Sequence, residues 1–143
     1  MPHDPNCVFC QIVTDTRKCA LLAEDAEALA FMDIHPANPG HCLVIPKGQW
    51  PTVFDIPPDV FAAVARLVVR IATGVQWSLN PPGLSLVQAN GAAANQTVQH
   101  LHIHVLPRQD DDRLLLNWPR TGASDSDRMA KIAAQIRDHL LPD

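Results

Sequence analysis

Three histidines, His100, His102 and His104, stand at every second position of QHLHIHVLPR, residues 99–108, and Leu101, Ile103 and Val105 fill the gaps. An imidazole changes charge near neutral pH, so it can serve as nucleophile, acid, base or metal ligand. Three of them in register leave two chemistries open. One is a metal site with imidazole ligands. The other is nucleophilic catalysis, in which one ring attacks while its neighbours orient it and stabilise charge. The preceding loop, NGAAANQTV, holds Asn90, Asn95, Gln96 and Thr97. Its amides, hydroxyl and backbone N–H groups are the donors a phosphate oxygen needs. A plain polar turn explains that loop taken alone; a phosphate-handling pocket explains loop and histidines together.

Polar and apolar residues alternating at period two predict a strand, with the imidazoles on one face and the apolar residues on the other. Further strands are expected near Ala20–Glu24, Ala28–Asp33, His41–Ile45 and Leu84–Ala89, separated by turn residues such as Pro36, Asn38, Pro39 and Gly40. Val60, Val64, Leu67, Val68, Ile71 and Val75 recur at helical spacing after the Pro57–Pro58 pair. The opposite side, with Phe61, Ala62, Ala65, Val69 and Ala72, is also largely apolar, which predicts burial on more than one side. Asn80-Pro81-Pro82-Gly83 ends this helix. Ser124 with Asp127 has the form of a capping box, and Met129, Ile132, Ala133, Ile136 and Leu140 mark a C-terminal helix. Short links between successive strands favour antiparallel pairing. The expectation is an α+β fold, a mostly antiparallel five-stranded sheet with two main helices.

At 143 residues the chain reads as a single domain, 1–143. A formal net charge of −4 argues against nucleic-acid or anionic-membrane binding. The start MPHDPNCVFC lacks the pattern of a signal peptide, and no apolar run is expected to span a bilayer. Cys7, Cys10, Cys19 and Cys42 do not form a disulfide framework, so reduced thiols and a cytoplasmic setting are expected. Cys7-x-x-Cys10 has three readings: a redox pair, two packed thiols, or part of a zinc site.

HLHIHVL fits the His-x-His-x-His-x-x signature, x apolar, of the histidine triad superfamily. NQTVQHLHIHVLPR resembles that family's loop and strand, FMDIHPANPGHCLVIPK resembles the other side of its nucleotide pocket, and CVFCQIV resembles the start of many bacterial members. The motif-bearing core spans about 7–108. The C-terminal helical part, about 124–141, and Asn117-Trp118-Pro119 before it match more loosely.

The resemblance implies a homodimer that binds a purine nucleotide or nucleotide conjugate. It implies a hydrolase of phosphoramidase type acting on nucleoside monophosphate conjugates, with no cofactor needed for catalysis. His102 is then the nucleophile of a nucleotidyl-histidine intermediate, His100 and His104 flank it, and His41 joins them. Asp33 is expected at the ribose and Phe31 and Ile34 at the base. Gln96 and Thr97 are expected at the phosphate, with Asn90 nearby. The alternatives are a dinucleoside polyphosphate hydrolase or nucleotidyl transferase of the same superfamily, a metal-dependent hydrolase, and a nucleotide-binding protein without turnover. Two positions depart from the family. Asn95 stands where the family has Gly at positive φ, a conformation Asn tolerates better than most residues. A structural zinc is implied at Cys7, Cys10 and His100, but Gln49 holds the place of the usual fourth ligand.

Overall fold

A computed structural model describes residues 1–114, 122 and 125–141. Its contacts divide the chain into two compact units, Met1–Arg113 and Leu114–Asp143. The first unit contains all the motifs of the histidine segment and its loop. Its strands are β1 (Leu21–Glu24), β2 (Ala28–Met32), β3 (Cys42–Pro46), β4 (Gly83–Gln88) and β5 (Ile103–Arg108). They form one sheet in the order β1-β2-β3-β5-β4, antiparallel at every pairing.

Strand parity gives the two sheet faces different work. Ala28, Ala30, Cys42, Val44, Ile103 and Val105 pack against Val64, Leu67 and Val68 of helix α2 (Pro58–Leu79). Leu29, Phe31, Leu43 and Ile45 pack on the other face against Phe9 and Ile12 of helix α1 (Val8–Thr14). Because both faces are covered, β2 and β3 are almost continuously apolar. Ile103 and Val105 belong to the α2 side, so His104 between them is turned to the α1 side.

β5 is shorter than the alternation predicts. Its ladder begins at Ile103, opposite Val44 and Gln88, so only His104 lies within the strand proper. His100 and His102 sit in the segment leading into it. The partner strand ends at Pro46, which has no N–H for the ladder, and its carbonyl faces the His100 ring instead. The backbone N–H of Leu101 donates to the carbonyl of Trp50, outside the sheet.

α2 runs longer than the periodicity marks. Pro58 opens it, where a missing N–H costs nothing. Asn80 closes it at φ +43°, donating its N–H to the carbonyl of Gln76. The expected burial on several sides is not found within the chain. One stripe is buried, while Val69 is 65% and Trp77 85% exposed. By length and composition alone α2 also suffices to cross a membrane. The sequence reading missed this because Arg66 and Arg70 interrupt the apolar run; its stripe packed on the sheet makes it a core helix of this fold. α1 was not expected at all.

In the second unit, α3 spans Ser126–Asp138, and the Asp125 side chain caps it by accepting from the N–H groups of Asp127 and Arg128. Asp125 therefore takes the capping role expected of Ser124. Ser124 and Asn117-Trp118-Pro119 lie outside the described residues.

Candidate active site

A cavity of about 510 Å³ opens on the α1 side of the sheet. His41, His102 and His104 line it together with Phe31, Asp33, Ile34 and Thr97, all residues that sequence reasoning selected. α1 supplies Val8, Phe9, Gln11 and Ile12, and the turn after it supplies Lys18 and Cys19. These were missed, although Phe9 and Ile12 stand three apart in CVFCQIV, a helical spacing in plain view. The Phe9 ring meets Phe31, His100 and His102 edge-on, at centroid distances of 5.6, 5.8 and 5.4 Å.

Four expected residues do not line the cavity. The Gln96 side chain is spent inside its loop: its oxygen accepts from Gly91 N–H, and its amide donates to the carbonyls of Pro51 and Val98. Asn90 is likewise engaged, accepting from Val53 N–H and exchanging hydrogen bonds with Gln88. These amides shape the loop that presents Thr97. Asn95 takes φ +64°, the left-handed conformation expected at its position. His100 lies behind the cavity wall, fully buried.

The partners of each ring decide where its proton sits, because a carbonyl can only accept and a backbone N–H can only donate. His102 Nδ1 is 2.7 Å from the His100 carbonyl, so Nδ1 carries the hydrogen and neutral His102 has a bare Nε2. Ala37 N–H donates to His41 Nδ1 at 3.0 Å, so the His41 hydrogen is on Nε2. That Nε2 is 2.8 Å from His104 Nδ1, which must accept, leaving the His104 hydrogen on its own Nε2. The cavity wall thus holds an unprotonated nitrogen on His102 beside an N–H on His104, with ring centroids 5.1 Å apart.

Electrostatics favour the neutral forms of His104 and His41. Burial pushes the His104 pKa down to about 4, helped by the neighbouring His102 and His41 and opposed by Asp33. Burial lowers His41 as well, against the pull of Asp33. Asp33 Oδ2 lies 3.5 Å from His41 Nε2, within reach of the hydrogen that Ala37 places there.

His100 belongs to a second cluster. Its Nε2–H donates to the Pro46 carbonyl at 2.9 Å. Its bare Nδ1 is 3.5 Å from Cys7 Sγ and 3.7 Å from Cys10 Sγ. The three donor atoms lie within 4.8 Å of one another. Two sulfurs and an unprotonated imidazole nitrogen are three of the four donors of a Cys2His2-type structural zinc site. Asp33, His41 and His104 also converge within 4.8 Å. There, however, Ala37 N–H already takes the lone pair of His41 Nδ1, which keeps the hydrogen on the nitrogen that a metal would need.

The low His104 pKa has a consequence for stability. Between pH 6.5 and 4 the unfolded chain takes a proton on this ring that the folded chain refuses, so stability is lost as pH falls through that window. Urea titrations across the window should show a shallower loss for His104→Gln than for wild type. Equal slopes would show that the fold does not hold His104 neutral.

A family model described as HIT domain matches residues 15–111. The chain is 38% identical over 109 residues to Adenylylsulfatase HINT3 of Arabidopsis thaliana, covering 76% of this chain and 55% of that protein. It is 35% identical over 115 residues to Adenosine 5'-monophosphoramidase hnt1 of Schizosaccharomyces pombe, covering 80% of this chain and 84% of that one. Among solved structures, a member of the HIT family from Bacillus subtilis matches with a TM-score of 0.90 at 30% identity, over 96% of this chain and 99% of that chain. Sequence and backbone agree across the unit that carries the histidines, and the chain belongs to the HIT domain family.

Proposed function

We propose that the protein hydrolyses phosphoramidate-type conjugates of a purine nucleoside monophosphate through a covalent intermediate on His102. The observation that carries this reading is the pairing of a bare Nε2 on His102 with an N–H on His104 at one cavity wall. The names of the two hydrolase relatives support the reaction class. His102 Nε2 attacks phosphorus, the bond to the leaving amine breaks, and the amine takes the His104 Nε2 proton while a proton from solvent restores the neutral ring. Water then cleaves the phosphorus–nitrogen bond to His102 and releases a proton to solvent, leaving His102 neutral again. Asp33 receives the ribose hydroxyls, Phe31 and Ile34 hold the base, and Thr97 donates to the phosphate. No cofactor enters these steps.

Dinucleoside polyphosphate hydrolysis and nucleotidyl transfer use the same intermediate with another leaving group or acceptor. A panel of adenosine phosphoramidates, AMP–lysine-type conjugates and dinucleoside polyphosphates separates them. Turnover that stops on exhaustive chelation would revive the metal-dependent reading. The ring directions oppose it: His100 faces the thiols, His102 a carbonyl and His104 another imidazole. Nucleotide binding without turnover of any of these compounds would favour a binding protein. The four free thiols suit the cytoplasm.

The Cys7, Cys10 and His100 cluster is proposed to hold a structural zinc, which would tie α1, and with it Phe9, to the histidine segment. The Gln49 amide donates to the Gln99 carbonyl beside His100, so its oxygen or a water is left to complete the shell. Homodimerisation through the exposed stripe of α2 is the remaining proposal, resting on Val69 and Trp77.

His102→Ala should fold and bind nucleotide yet lose turnover by ~10³-fold or more, the scale for a deleted covalent nucleophile. Rapid quenching of wild type with a labelled nucleotide should trap label on His102; near wild-type turnover by the folded variant would overturn the assignment. Elemental analysis of protein purified without added metal should find close to one zinc per chain. Less than about a tenth of an equivalent would mean the thiols are metal-free. Sedimentation at micromolar concentration should give twice the 15.7 kDa chain mass, and a clean monomer would reject the dimer.

A further inference from the structure

The link between β2 and β3, residues 33–41, carries Asp33 and His41 into the cavity but has little packing of its own. Ile34, His35, Pro36, Ala37 and Pro39 are all exposed. The N–H that sets the His41 proton belongs to one of these exposed residues, Ala37. Something else must hold that N–H in place. The neighbouring Asn38 is half-buried and lies outside the cavity lining. Its amide donates to the Pro107 carbonyl on β5 at 2.8 Å and to Asp112 Oδ2 at 3.0 Å. Its backbone carbonyl accepts the N–H of His41 at 3.1 Å. Asp112 is a firm anchor: its side chain is only 4% exposed, the Arg108 guanidinium grips both carboxylate oxygens, and Gln109 N–H donates to it. Gly40 seats the same link against β5 and α2. It sits at φ +91°, and a Cβ there would lie 3.1 Å from Pro107 and 2.4 Å from Leu79.

We infer that Asn38 is a positioning residue for proton transfer: its clamp to Pro107 and Asp112 holds Ala37 N–H on His41 Nδ1 and so sets the proton on His104 Nε2. The inference rests on the proposed role of His104 as donor to the leaving group. With the opposite His41 tautomer, Nδ1–H would face Ala37 N–H, donor against donor. His41 Nε2 would then be bare, His104 would turn its hydrogen toward it, and no N–H would remain for the leaving group. Asp33 near His41 Nε2 favours the same tautomer as Ala37 does. The clamp thus acts through two other residues on an atom it never touches.

The test reads the tautomer and the rate separately. Long-range ¹H–¹⁵N NMR of the wild-type imidazoles should show His41 unprotonated at Nδ1 and His104 unprotonated at Nδ1. In Asn38→Ala the His41 signals should move toward a tautomer mixture. Its kcat on the best phosphoramidate should fall by about 10- to 100-fold, the range for a misplaced catalytic group, with KM within about twofold. Should Asn38→Ala not fold, Asn38→Ser is read the same way. A wild-type His41 protonated at Nδ1 overturns the inference. So does a folded Asn38 variant that keeps the wild-type tautomer and rate. Should wild type turn over no nucleotide conjugate, the proposed function fails, while the NMR of wild type and variant still decides whether Asn38 sets the tautomer.

Discussion

A neutral imidazole has one N–H and one lone pair, and once buried it must satisfy both or lose about 1–3 kcal/mol for each polar atom left without a partner. That constraint organises the histidine unit. Among the described residues, no buried side-chain nitrogen or oxygen lacks a partner. The means are mostly backbone groups: the Pro46 carbonyl for His100, the His100 carbonyl for His102 and the Ala37 N–H for His41. Backbone partners do not titrate, so they fix a tautomer more firmly than another side chain would. The hydrogen bond between His41 and His104 instead joins two rings, and its direction is inherited from Ala37. The nitrogens left over on His102 and His104 meet the cavity, one bare and one protonated.

The sheet makes this arrangement inexpensive. Each strand has two faces, and here both are covered, by α2 on one side and α1 on the other. The apolar residues alternating with the histidines were legible as core because Ile103 and Val105 must point somewhere dry. The strand's start was not legible. The alternation runs through residue 100, but a ladder needs a partner on the next strand, and Pro46 ends that supply. Such information lies in another segment of the chain and not in the histidine motif. α1 was hidden for a related reason. Seven residues are too few for a helix to persist alone, so its stability comes from Phe9 and Ile12 docking on the sheet.

Residues chosen for polarity divided in two ways. Asp33 and Thr97 reach the cavity, whereas Gln96 and Asn90 do not. An irregular loop leaves backbone N–H and carbonyl groups without ladder partners, and these must be satisfied before any ligand is. Gln96 serves three of them at once and Asn90 takes Val53 N–H. Composition alone cannot separate an amide that binds a ligand from one that braces the loop beneath it. Asn95 shows the opposite case, in which the sequence sufficed. A left-handed position leaves few non-Gly side chains that fit, and Asn is one of them.

His100 lies where two sites meet, and it uses different atoms for each. Its ring nitrogen faces Cys7 and Cys10, while its carbonyl holds the Nδ1–H of His102. Anything that moved the ring would also move the backbone that fixes the His102 tautomer, since both belong to one residue with little room to rotate. Phe9 adds a second link, because α1 carries both thiols' neighbourhood and the ring that abuts His100 and His102. The N-terminal segment is therefore a wall of the cavity and also carries the two thiols that face His100. The spacing of three histidines explains why they share a face, but their unequal fates follow from what lies opposite each ring: two sulfurs for the first, a cavity for the second, and a tautomer-locked imidazole for the third.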